Sequence, residues 1–153
     1  MVKKLLVGLI LSFLVLGCTN NTSQSNQSFF ETYRHTQIGD NSNVGGILSS
    51  LEWDNPYNGF ELFTNEEPYG MLIHFDGPLT SENMVANASY LFTLIDNLDY
   101  VIYETSNDTL QIYRQELEDF YQIPFNEIES QDQLDLLING HDLGLFFDGI
   151  PKG

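Results

Sequence analysis

The chain has 153 residues, with 22 acidic side chains against five basic ones and a formal net charge of −17. So acidic a polypeptide is a poor partner for nucleic acid, whose phosphates are held by cationic side chains, and anionic lipid headgroups repel it too. With a single cysteine, Cys18, no intramolecular disulfide can form, so the folded part depends on a hydrophobic core, for which 11 Phe and 8 Tyr supply material.

The N-terminus opens with Lys3 and Lys4, followed by a mainly apolar run from Leu5 to Leu16 and then Gly17-Cys18. That run is shorter than the ~20 residues a spanning helix needs. Basic residues, a short apolar stretch and a small residue in this order form the pattern of a secretory signal. Leu14-Val15-Leu16-Gly17-Cys18 resembles a bacterial lipobox, with Leu16 where a smaller residue is commoner. The resemblance implies a diacylglycerol on the Cys18 sulfur, cleavage after Gly17 and an extracytoplasmic domain lipid-anchored to the cell membrane. Two or more acyl chains suffice for stable attachment. The expected organisation is a lipoprotein signal peptide at 1–17, a flexible polar tether at 18–28, and a single acidic α+β domain at 29–153. The tether is uncharged and lacks apolar anchors, a composition that does not fold.

Asp40, Asn41 and Ser42 are good helix N-caps, and they precede a helical pattern through Val44, Ile47, Leu48 and Leu51. Trp53 to Asn58 contains Asn-Pro and Asn-Gly pairs and reads as a turn. Phe60 to Thr64 alternates as a strand, Asn65 to Pro68 makes a turn, and Gly70 to Phe75 alternates again. In the second strand Met71, Ile73 and Phe75 share one face, with Leu72 and His74 on the other; together the two strands read as a β-hairpin. A helix from about Ser81 to Ile95 carries an apolar stripe through Met84, Val85, Ala88, Leu91, Phe92 and Ile95. Tyr100 to Tyr103 is a strand that is apolar on both faces, as a central strand would be. A second helix is expected from Asp108 to Tyr121, along Leu110, Tyr113, Leu117 and Phe120, with Pro124 barring its continuation. A short helix from about Asp132 to Ile138 lies between Ser130 and Asn139-Gly140, and the tail from Leu143 to Ile150 either pairs as an edge strand or packs. The fold class is α+β: a small, mainly antiparallel sheet of three or four strands with helices on one face.

Three stretches, Gly39 to Gly45, Glu67-Pro68-Tyr69-Gly70, and Asn87-Ala88 leading to Leu91 through Asn97, resemble an uncharacterised domain family of low-GC Gram-positive bacteria. The resemblance spans about Thr36 to Ile123. The family occurs in small lipoproteins and in extracytoplasmic parts of membrane proteins, some with a sensor-peptidase arrangement. It implies a location and a role in sensing or in assisting a membrane partner, and it carries no activity.

The residues themselves offer no catalytic set. His35, His74 and His141 are far apart, without the spacing of a zinc site. No EF-hand loop occurs, and Asp96-Asn97-Leu98-Asp99 reads as a helix-to-strand turn before it reads as a calcium site. There is no Gly-x-Ser-x-Gly elbow. Pairs such as Glu66-Glu67, or Glu116 with Asp119, are expected by chance in so acidic a chain. Neither a cofactor nor a metal is expected. Tyr69 in its turn, with Trp53 and Tyr57 in another loop, is the candidate recognition patch, because Tyr and Trp are favoured at interfaces. The resulting expectation is a non-enzymatic module of the cell envelope that binds a protein or peptide, tied to the membrane through Cys18. The alternatives are a cation-responsive binding domain and an envelope hydrolase using acidic residues.

Overall fold

A computed structural model describes residues 28–148. Six helices and four strands follow one another as α1 (Phe29–Tyr33), α2 (Asn41–Ser50), β1 (Tyr57–Phe63), β2 (Gly70–Phe75), α3 (Ser81–Leu94), β3 (Tyr100–Glu104), β4 (Thr109–Tyr113), α4 (Arg114–Tyr121), α5 (Gln131–Asn139) and α6 (Leu145–Asp148). A 3₁₀ turn, Phe125–Glu127, lies between α4 and α5. The architecture is α+β.

The helix starts are set by local chemistry. The Asp40 carboxylate accepts the Asn43 N–H at 3.1 Å, the Thr80 hydroxyl accepts that of Asn83 at 3.2 Å, and Ser130 accepts that of Gln133 at 3.3 Å. Each bond satisfies a donor that the first turn leaves unpaired. At the far end of α4, Gln122 takes a left-handed conformation with φ of 58° and Pro124 follows, so the helix stops there.

The sheet has the order β1-β2-β3-β4. The β1–β2 and β3–β4 pairs are antiparallel, and the central β2–β3 pair is parallel. The expectation of a mainly antiparallel sheet therefore holds, with one parallel pair created by the crossover through α3. Met71, Ile73, Phe75, Val101, Tyr103 and Ile112 point to one side and join Val85, Ala88, Leu91 and Phe92 of α3 in the core. Buried polar groups in that core are bonded: the Tyr103 hydroxyl donates to the Met84 carbonyl at 2.9 Å, and the Ser89 and Tyr121 hydroxyls meet at 3.0 Å.

Two boundaries differ from the sequence expectation. The helix expected from Asp108 begins instead at Arg114, because Thr109–Tyr113 forms β4. Leu110, Tyr113, Leu117 and Phe120 do fit a helical period, yet Leu110 and Ile112 also alternate with Gln111 and Tyr113, and pairing with β3 decides between the two. Strand β1 starts at Tyr57, inside the expected turn, after a register irregularity between Tyr57 and Gly59. Of the two outcomes open for the tail, its described part packs, as α6 with Phe146 buried. Among the described residues no helix is long and apolar enough to cross a membrane.

Candidate functional site: the open face of the sheet

Alternation along the strands leaves the second face of the sheet without a helical layer. The register arranges its side chains in three rows. One is Phe63, Gly70, Tyr100, Tyr113; the next is Glu61, Leu72, Ile102, Gln111; the third is Gly59, His74, Glu104, Thr109. Aromatic, aliphatic and charged chemistry thus follow one another along the strand direction, over a span of about 13 Å from Gly70 to His74.

The aromatic row is continuous. Phe63 and Tyr100 stack with ring centroids 6.3 Å apart and planes at 19°, and Tyr100 meets Tyr113 at 5.9 Å. Gly70 makes this possible: a Cβ there would lie 2.2 Å from the Tyr100 ring, which occupies the space a side chain on β2 would fill. Phe63 and Tyr113 remain 36% and 44% exposed, so the two ends of the row face solvent.

The charged row centres on His74. Its Nδ1 lies 2.6 Å from Glu104 Oε2, directly across the strand pair, and its Nε2 lies 3.4 Å from Glu61 Oε1 on the other side. The hydrogen bond to Glu104 raises the imidazole above its usual value of 6.5; partial burial opposes this, and Glu61 adds to the rise. Beyond His74 the sheet ends in a recess of about 660 Å³ whose walls include Asp76, Glu104 and Asp108. All 22 acids of the chain fall within the described residues, against two arginines, Arg34 and Arg114. Neither arginine is on this face. Such a surface suits a ligand with an apolar or aromatic part and a cationic part about 13 Å away.

The three residues expected to form a recognition patch do not come together. The Trp53 indole N–H donates to the Leu48 carbonyl at 2.9 Å, and its ring packs on Phe75 at 5.2 Å and Tyr103 at 6.2 Å. Trp53 is therefore half-buried and packed against the core on the helical side. The Tyr57 hydroxyl is 2.9 Å from Ser49 Oγ of α2. Tyr69 is fixed by its backbone, with its N–H on Asp99 Oδ2 at 2.7 Å and its carbonyl receiving the Asp99 N–H at 2.8 Å; its side chain is half-buried against the core. Tyr57 pairs with Phe75 whereas Tyr69 precedes Gly70, so the two stand at opposite ends of β2, about 20 Å apart. Cys18, the expected lipidation site, lies outside the described residues.

The Asp96–Asp99 segment is a turn whose polar side chains are committed to protein partners. Asp96 faces His35, Asn97 accepts the Ile38 N–H, and Asp99 accepts that of Tyr69. Among the described residues no cluster of three or more His, Cys, Asp or Glu is placed to hold a metal ion. Sequence reading missed Phe63, Tyr100 and Tyr113 as site residues, although the doubly apolar pattern from Tyr100 to Tyr103 marked a strand with something on both faces.

Residues 30–116 match a protein family described as Domain of unknown function (DUF4825). No curated protein and no solved structure matches the chain.

Proposed function

The chain belongs to the DUF4825 family, and from that premise we propose that it is a binding module of the cell envelope that docks a basic, extended segment of another envelope protein on its open sheet face. One observation carries the reading: the uncovered row of Phe63, Tyr100 and Tyr113, with Glu61 in the next row and Glu104 and Asp108 at the far end of the strands. The aromatics supply contact area at small entropic cost, and the carboxylates select a cationic partner and speed its encounter. The module acts by binding and not by catalysis. Its lipobox-like N-terminus supports export and attachment through a lipid on Cys18, which would hold it beside membrane-resident partners. The envelope setting that the family resemblance implies supports the same reading.

Two measurements test this. A photo-crosslinking amino acid at position 113 or 63, on the open face, should trap a discrete partner in cells, and trapping should weaken as salt is raised. The same probe at position 122, on the helical side, should not trap it; identical products from both faces would remove the sheet from the proposal. Radiolabelled palmitate should enter the wild-type chain and not Cys18→Ser, and equal labelling would remove the anchor.

A further inference from the structure

In a domain with 22 acids, both described arginines line the same cavity. It measures about 310 Å³ and lies on the helical side, between the C-terminal ends of α1 and α3 and the turn at Phe125–Glu127. That volume is near the lower end of small-molecule pockets, roughly 300–1,000 Å³. Arg34, His35, Asp96 and Arg114 supply its charged and titratable groups, and Phe92 and Phe125, each 1% exposed, lie beneath its floor.

The arginines are oriented but not neutralised by hydrogen-bonded carboxylates. Arg34 donates to the carbonyls of Glu129 at 2.9 Å and Ile128 at 3.4 Å. Arg114 donates through Nε to the Leu98 carbonyl at 2.7 Å and through Nη2 to that of Ile95 at 2.7 Å, with its guanidinium 5.3 Å from the centre of the Phe92 ring. Its nearest carboxylate, Glu118, is 4.0 Å from Nη1, outside hydrogen-bond range, and Glu118 Oε1 already accepts the Phe125 N–H at 3.0 Å. Among the described residues Nη1 has no hydrogen-bond partner. The guanidinium is largely shielded, and burial pulls its pKa below the usual arginine value, opposed by the charges of Glu118, Asp99 and Asp96. With Nε and Nη2 committed to backbone carbonyls, the fixed Nη1 is left to give one carboxylate oxygen a charge-assisted hydrogen bond. Asp96, held by His35 at 3.2 Å, places one negative charge in the same cavity and so disfavours a multiply charged anion.

We infer that this cavity binds a small monocarboxylate, the carboxylate on Arg34 and Arg114 and its tail over the cavity floor that Phe92 and Phe125 underlie. The site is separate from the open sheet face, so either assignment can fail without the other. A free carboxylic acid and the C-terminus of a peptide share this chemistry. The test is a thermal-shift and NMR titration of the full chain in detergent with phenylpropionate, phenylpropionamide, inorganic phosphate, and a phenylalanine-terminated tripeptide with free or amidated C-terminus.

Phenylpropionate should give a saturable shift, and the uncharged amide and phosphate should not. A tighter response to the free-C-terminus tripeptide would assign the site to peptide ends, and a tighter response to phenylpropionate would assign it to free acids. Arg34→Gln should weaken binding about tenfold, the scale of one charge-assisted hydrogen bond, and Arg34→Lys should weaken it less. No saturable response, equal responses to acid and amide, or binding of phosphate as tight as that of phenylpropionate would overturn the inference. If Arg34→Gln does not fold, the acid–amide comparison on the wild-type chain decides alone.

Discussion

Tyr100 lies across the backbone of Gly70, its ring 2.2 Å from where a β-carbon on that glycine would stand. The two residues are direct partners in the parallel β2–β3 pair, and the ring bridges Phe63 and Tyr113 because β2 has no side chain at that point. Gly70→Ala should therefore push the ring off the sheet and break the row. The ring sits on an open face and can swing outward, so the cost in stability should be modest, about 1–2 kcal/mol. Partner binding should fall much further. The check is a urea melt beside a crosslinking yield, with nuclear Overhauser contacts between the Tyr100 ring and residue 70 as the structural readout. An unmoved ring would mean that the face tolerates the methyl group.

Tyr113→Ser and Phe63→Ser should leave stability within about 0.5–1 kcal/mol of wild type, because both side chains are exposed and their removal opens no cavity. Both should reduce partner capture. Trp53→Ala should do the reverse. It removes contacts with Phe75 and Tyr103 and the bond to the Leu48 carbonyl, and should cost about 2–4 kcal/mol with no selective effect on binding once the fraction unfolded is taken into account. A Trp53 variant that melts like wild type but binds poorly would restore it to a recognition surface.

The His74 cluster predicts a pH dependence whose sign follows from its geometry. Glu104 and Glu61 favour the protonated imidazole, so its folded pKa lies above the unfolded value near 6.5. The stabilisation is fully present below that unfolded value and is lost as pH rises through the folded pKa. The difference in unfolding free energy between wild type and His74→Gln should therefore be greatest below the unfolded value of 6.5 and shrink as pH rises above it through the folded pKa. Both glutamates are largely exposed, at 60% and 48%, and solvent screening keeps the effect below about 1 kcal/mol. A difference that grows with pH would contradict the assignment.

Asn87, half of the Asn87-Ala88 pair within the family-like stretches, is a buried fastener. Its side-chain amide donates to the Glu52 carbonyl at 2.9 Å and so ties the segment before β1 to α3. Asn87→Ala should cost about 0.5–1.5 kcal/mol, since it removes one of two donors to that carbonyl, the Asn83 amide at 3.0 Å being the other. Hydrogen exchange should quicken first around residues 52–58; uniform protection there would show that the tie is not limiting.

Much of the fold was legible because its determinants are local. Asp40 and Ser130 cap helices whichever way the chain later turns, and the α3 stripe and the alternation of β1 and β2 are properties of single segments. The β4–α4 boundary was not legible, because Thr109 to Tyr113 satisfies both periods and only β3 chooses between them. The open face was hidden for a related reason. Tyr100, Val101, Ile102 and Tyr103 are apolar on both sides, and the side taken by α3 is a long-range fact. The aromatic patch read from Trp53, Tyr57 and Tyr69 failed because closeness in sequence says little about which end of a strand a residue occupies. The pairing of Arg34 with Arg114 at one cavity, 80 positions apart, leaves no local trace.

The N-terminal approach to the domain runs through α1, where the Phe29 ring packs on Tyr33 at 5.5 Å and on Tyr90 of α3 at 6.2 Å, within the helical layer. A domain held from that end is suspended by its helices, with the bare sheet turned outward. A neighbour can then reach Tyr100 and its companions from the far side without displacing the point of suspension. Simple rotation about that point sweeps the sheet past anything nearby. Lengthening the chain before Ser28 would widen the circle searched and leave the surface presented unchanged.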